Sequence, residues 1–362
     1  MPVKTTQTLQ EILNQPEAWR RTLEAATADR LPSLPLDQAE HIYLVGSGSS
    51  YYLSMMLASR LRARTRAAVE AVPSVELLLH PESYYRAGRA YLTVLVSRSG
   101  TSTEAVRAAQ WLKESGRSAT LALSCTPGSP MVELAEQALV APVQEESVVM
   151  TQSFTSMALL FEAAVQHALE QAAPGPRPEG VVGLEPFRRQ ALQWAEGCAA
   201  ALEACREPLE DLAGRLELDH LVLLGSGLRY GAAREGALKL HEMALARTEA
   251  YHTLEYRHGP KSTASRRTLA ITLLGPGEEA WLAPLAAELH PLVGAQLLLG
   301  AWSSDQVPPG SIVLAPDPAG DELGDALLML VLLQYLAERR AVAQGLNPDA
   351  PRNLSKVVLL DP

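Results

Sequence analysis

Residues 41–50 read HIYLVGSGSS, and residues 220–227 read HLVLLGSG. Each is a short apolar run of strand length that stops at a Gly-Ser-Gly turn. In the first copy an apolar helical run, Tyr51 to Leu61, follows at once. Strand, glycine-rich turn and helix are the parts of a βα unit whose turn can cradle an anion on free helix N–H groups. Tyr91–Val96, Ala119–Ser124 and Leu139–Pro142 add strands to the first half. Leu269–Leu274, Leu297–Leu299 and Ser311–Leu314 add strands to the second. Helical runs at Glu104–Lys113, Val148–Leu169, Leu184–Ala204 and Leu323–Ala343 fall between or after them. Mostly apolar strands alternating with helices predict an α/β fold with parallel sheets covered on both faces. The repeated order predicts an internal duplication. Two similar domains are expected, over 28–175 and 184–343, joined through the Pro/Gly-rich 175–183 and followed by a tail over 344–362. A further helical segment, 6–23, is expected to break at Pro16-Glu17.

Composition narrows the function. A net charge of -10 argues against nucleic acid as the primary partner. A phosphorylated small molecule remains open, because a local cluster of N–H groups binds an anion whatever the total charge. Three cysteines, Cys125, Cys198 and Cys205, form no C-x-x-C pair and point to a reducing compartment. No leader and no apolar run of membrane-spanning length is read, so a cytoplasmic enzyme with no membrane partner is expected. GSGSS lacks the third glycine of a dinucleotide fingerprint and the Lys-Ser/Thr of a Walker loop. No His/Cys/Asp/Glu set has metal-ligand spacing, so neither cofactor nor metal is predicted.

Two turns are instead rich in hydroxyls. Ser47, Ser49 and Ser50 follow the first strand; Ser97, Ser99, Thr101, Ser102 and Thr103, with Arg98 among them, follow Tyr91–Val96. Helix capping accounts for one hydroxyl per helix, whereas clusters at two helix starts suit a phosphate group. Downstream, Glu235, Lys239 and Glu242 stand at spacings of four and three, on one face of a helix. A surface salt bridge is the plain alternative. Arg257-His258-Gly259-Pro260-Lys261 then holds a histidine between cations. With a phosphosugar and no metal or nicotinamide, aldose–ketose interconversion needs a base between adjacent carbons, an acid–base group at the ring oxygen and a charge partner for the enediolate. Glu242, His258 and a lysine could supply these; a lysine could also form a Schiff base with a ketose carbonyl.

In combination, GSGSSYY (46–52), SRSGTSTE (97–104), REGALKLHE (234–242), YRHGPKS (256–262) and NPDAPRNLSKVV (347–358) resemble the sugar isomerase (SIS) domain proteins. The match is nearest to the double-SIS isomerase half of glucosamine-6-phosphate synthase and to the tagatose/galactosamine-6-phosphate isomerase-deaminases. The resemblance implies two flavodoxin-like SIS domains, three-layer αβα, in a homodimer with shared active sites and a hexose or hexosamine 6-phosphate as substrate. It implies substrate loops at Ser49 and Ser50 and at Ser97, Ser99 and Thr103, with Arg98 where the synthase usually has glutamine. Glu242 matches the proton shuttle, with Glu235 and Lys239 on the same helix, and His258 the ring-opening histidine lent by the neighbouring subunit. Lys356 matches the Schiff-base lysine, on a tail that closes the site. No nucleophilic cysteine lies near the N-terminus, so glutamine hydrolysis is not expected of this polypeptide. Arg98, RHGPK and VVMTQS at 148–153 are nearer the deaminase-like relatives than the synthase. The implied function is a phosphosugar isomerase, with an ammonia-releasing deaminase as one branch. A synthase-like aminotransferase and a non-catalytic phosphosugar sensor are the alternatives.

Overall fold

The computed structural model describes residues 5–171, 178, 180–316 and 320–360. The chain divides into two compact units, each with one five-stranded parallel sheet. One unit comprises Glu17–Glu145, Gln152–Gln193 and Ser355–Pro362; the other comprises Met1–Pro16, Glu146–Thr151 and Trp194–Leu354.

The first sheet contains β1 (His41–Gly46), β2 (Ala68–Pro73), β3 (Tyr91–Val96), β4 (Ala119–Ser124) and β5 (Gln137–Val140), in the order β2-β1-β3-β4-β5. The second contains β6 (His220–Gly225), β7 (Arg247–His252), β8 (Thr268–Leu273), β9 (Ala295–Leu299) and β10 (Ile312–Leu314), in the order β7-β6-β8-β9-β10. Both are the flavodoxin order 2-1-3-4-5, and helices flank each sheet in three αβα layers. The duplication extends to register. His41 stands opposite Ala68 and Tyr91, and His220 opposite Arg247 and Thr268. In the inner strands β3 and β8 every residue is buried, which is why they read as unbroken apolar runs.

The two Gly-Ser-Gly turns share a steric demand. A Cβ on Gly46 would lie 2.5 Å from the Ser50 carbonyl carbon, and one on Gly225 would collide with the Arg229 backbone. In each unit the chain leaves its strand and enters its helix too tightly for any other residue.

Two strands were not read from the sequence. β2 (AVEAVP) and β7 (RTEAYH) are edge strands whose faces alternate between burial and water or stay half-covered, so neither is an apolar run. The helix expected from Val148 starts at Gln152, because Glu146 and Ser147 give their N–H groups to the buried carboxylate of Glu11. The expected break at Pro16 falls at Asn14: helices span Gln7–Leu13 and Gln15–Ala25, with Pro16 in the first turn of the second, where its missing N–H is harmless. Of the connector at 175–183, residues 175–177 and 179 lie outside the described residues. Gly180 is tied down, its carbonyl accepting from Arg64 at 2.9 Å and Gln166 at 2.9 Å. Those two residues also surround the buried carboxylate of Glu162, which takes Arg60 Nε at 2.9 Å and Arg64 Nη1 at 2.5 Å. Helix Glu322–Ala343 is buried almost all round, which explains its continuous apolar sequence. Among the described residues no helix is long and apolar enough to cross a membrane.

Candidate active site

In the first-sheet unit both hydroxyl-rich turns leave the carboxyl ends of β1 and β3, neighbouring strands at the point where the strand order reverses. That is where open α/β sheets bind ligands. Ser49 and Ser50 open helix Ser49–Arg62 and are buried. Gly48, at φ 56°, is its cap and supplies no side chain to its N–H groups. Ser97 is buried, while Ser99, Thr101, Ser102 and Thr103 are partly open.

This second turn is rigid. The Arg98 carbonyl accepts from Cys125 N–H at 3.0 Å, Ser124 Oγ at 3.1 Å and Thr126 Oγ1 at 3.2 Å. Ser97 Oγ accepts the Gly100 N–H and Ser99 Oγ the Thr101 N–H. Ser102 caps helix Thr103–Ser115 by position, but its side chain makes no capping hydrogen bond. At Thr103 the tail arrives: Thr103 N–H donates to the Val358 carbonyl, and Thr103 Oγ1 accepts the Leu360 N–H at 2.9 Å.

The Arg98 side chain turns away from water and is buried. Its Nη1 lies 2.8 Å from Glu145 Oε2 and its Nη2 donates to the Lys356 carbonyl at 3.1 Å. Lys356 Nζ donates to the main-chain carbonyl of the same Glu145. The Glu145 carboxylate also accepts Ser153 Oγ at 2.5 Å and the Ser153 N–H at 3.2 Å, in the first turn of helix Gln152–Gln171. A carboxylate there is favoured by the helix dipole.

In the second-sheet unit, helix Leu228–Ala244 carries Glu235, Lys239 and Glu242 on one face. This is no surface salt bridge. Glu235 and Lys239 are fully buried, and the Glu242 side chain keeps 17% exposure. Lys239 Nζ stands 3.2 Å from Glu235 Oε1 and 2.5 Å from Glu242 Oε2. Burial alone would push the ammonium's pKa down. The two carboxylates, Glu235 first, outweigh it, so Lys239 is held above the usual lysine value. The result is a permanent cation behind one part-open carboxylate. In this unit the turn after β6 offers no comparable cradle. Arg229 stands where the first copy has Ser50, ion-paired to Glu278 at 3.1 Å, and Ser226 Oγ meets Thr253 Oγ1 at 2.5 Å.

The SIS domain model matches residues 36–166 and 217–297. This chain belongs to the SIS domain family. Among its relatives, the D-galactosamine-6-phosphate deaminase AgaS of Escherichia coli O157:H7 is 28% identical over 96% of this chain and 91% of its own length. Among solved structures, the glucosamine-6-phosphate deaminase of Thermotoga maritima superposes with a TM-score of 0.77 at 27% identity, covering 98% of this chain and 100% of that one. The tagatose-6-phosphate ketose/aldose isomerase of Escherichia coli superposes at 0.81 with 26% identity, covering 99% and 96%.

In this SIS protein His258 is exposed, on a turn that closes when its N–H donates to the Glu255 carbonyl at 3.0 Å. Its flanking cations do not face it as a pair. Arg257 Nε and Lys261 Nζ both bind the carboxylate of Glu288, which they hold below the usual range. The sequence alone does not single out Glu288 or Glu145, because nothing local to either residue marks its partner. The tail is anchored before it reaches Lys356: Asp349 accepts the N–H groups of Gln7 and Thr8 at 3.0 and 2.8 Å, capping the first helix. Cys198 is buried and its thiol pushed up to about 12, while burial and Glu145 raise that of Cys125, so neither is a ready nucleophile. Among the described residues no His/Cys/Asp/Glu group could hold a metal ion.

Proposed function

We propose that this protein is a phosphosugar isomerase that releases ammonia from a hexosamine 6-phosphate, converting it with water to the corresponding ketose phosphate. The observation that carries this reading is the buried Glu235–Lys239 pair behind the part-exposed Glu242. A carboxylate held against a buried cation, yet open on one side, suits a base that moves a proton between adjacent carbons.

In this reading the hydroxyls of Ser49, Ser50, Ser97, Ser99, Thr101, Ser102 and Thr103 and the helix starts around them hold the phosphate. His258, exposed in the protomer, acts in the neighbouring subunit of a homodimer to open the sugar ring. Glu242 takes the C2 proton of the open-chain amino aldose and returns it to C1, leaving an imine at C2. The amine of Lys356 adds to that carbon and ammonia leaves. Water then hydrolyses the new Schiff base, restoring the free lysine and the ketose phosphate. The names of the relatives, two deaminases and one ketose/aldose isomerase, support the pairing of these half-reactions. Their sugars differ, so the epimer is a matter for assay.

The test is ammonia release from galactosamine 6-phosphate and glucosamine 6-phosphate, run beside isomerisation of the unaminated sugars and C1 deuterium uptake from heavy water. Ammonia and deuterium uptake are expected together, with both lost in Glu242→Gln. Absence of turnover with every phosphosugar would sink the assignment.

A further inference from the structure

Arg98 sits in the hydroxyl-rich turn, where a cation would ordinarily be assigned to the phosphate. Its surroundings say otherwise. The guanidinium is buried and spans two groups on distant stretches of chain, the Glu145 carboxylate at 2.8 Å and the Lys356 carbonyl at 3.1 Å. Glu145 has its remaining capacity taken by Ser153, and its own main-chain carbonyl receives the Lys356 ammonium. Lys356 is therefore gripped at both ends, backbone by Arg98 and side chain by the peptide of Arg98's ion-pair partner. A planar guanidinium can bridge two acceptors in fixed geometry, which an ammonium on a flexible stem cannot do.

We propose that Arg98 and Glu145 form a clasp that positions Lys356, and that Arg98 is not a phosphate ligand. This rests on the Schiff-base role given to Lys356 above; in the reverse of its hydrolysis step, the neutral amine adds to C2 of the open-chain ketose phosphate, a C=N bond forms and water leaves. Borohydride then delivers hydride to that carbon and fixes the sugar on Lys356 as a secondary amine.

The experiment uses the full chain as wild type, R98Q, R98K, E145Q and R98Q/E145Q. Fructose 6-phosphate with borohydride reports labelling of the Lys356 peptide by mass. Glucitol 6-phosphate, which has the phosphate but no carbonyl, reports phosphate affinity as an inhibition constant. Trypsin cutting at Arg352 and Lys356 reports tail release without any Schiff-base chemistry. For a positioning clasp, all three single variants lose labelling by about tenfold or more, the size of one charge-assisted hydrogen bond. Glucitol 6-phosphate inhibition then stays within about twofold, tail cutting accelerates, and the double variant is no worse than either single because the pair acts as one unit. The proposal is overturned if R98Q weakens glucitol 6-phosphate about tenfold while R98K and E145Q do not, the pattern of a phosphate-binding cation. It is equally overturned if the tail is cut no faster in any variant. If wild type takes no label yet its tail is released in the variants, the clasp stands and the Schiff-base role of Lys356 fails.

Discussion

Replacing Lys239 by methionine isolates the electrostatics of the catalytic helix. The unbranched stem is kept to within one atom and the charge removed, leaving Glu235, with no exposure, facing an apolar neighbour. At 3.2 Å and an effective dielectric near 20, the Lys239–Glu235 attraction is about 5 kcal/mol, and the 2.5 Å contact to Glu242 is stronger still. Desolvation of the ammonium offsets part of this. Stripping one partner from a buried pair nonetheless costs about 3–5 kcal/mol, because the other charge stays behind. K239M is therefore expected to lose that much in urea unfolding of the second-sheet unit. E235L/K239M, which removes both charges, should return to within about 1 kcal/mol of wild type. Turnover should fall in both variants by about a hundredfold or more, since Glu242 has lost its fixed cation. Lys239 is held above the ordinary lysine value, so its stabilisation is complete below about pH 10.4 and is lost only as pH climbs through the higher folded value. Wild type and K239M should differ by a constant amount from pH 6 to 9. A K239M loss below about 1 kcal/mol would refute the electrostatic argument. A double variant that regains turnover along with stability would reduce the triad to scaffolding.

The buried carboxylate of Glu162 behaves in the opposite sense. Burial pushes its pKa up, but Arg60 and Arg64 outweigh it and hold the group below the usual range. Its stabilisation is present above about pH 4.3 and disappears as pH falls through the lower folded value; thermal unfolding of E162Q should therefore lack that acid-dependent step. Glu162→Ala, which leaves two guanidinium groups buried without their carboxylate, should cost about 3–5 kcal/mol, read by denaturant unfolding. At Gly100, φ is 63° and an added Cβ would fall on Ser129 Oγ. Gly100→Ala should strain the second turn by about 1–2 kcal/mol and raise KM for phosphosugars, and an unchanged KM would show that this turn does not hold the phosphate.

Much of this protein is legible along the chain because its information is local. An apolar run ending at Gly-Ser-Gly specifies a strand, a turn and the helix after it, and its recurrence at 220–227 specifies a second copy. The spacing Glu235, Lys239, Glu242 places three charges on one face wherever that helix lies. Spacing could not decide between an exposed salt bridge and a buried triad, because burial depends on what packs over the helix. The edge strands β2 and β7 were invisible for a related reason: AVEAVP and RTEAYH become strands by pairing with β1 and β6. Arg98 shows the division most clearly. Its residue type and loop position were plain from the sequence and pointed toward a phosphate. Its partners lie 47 and 258 residues away, and only the folded chain brings a buried carboxylate and a tail carbonyl to either side of one guanidinium.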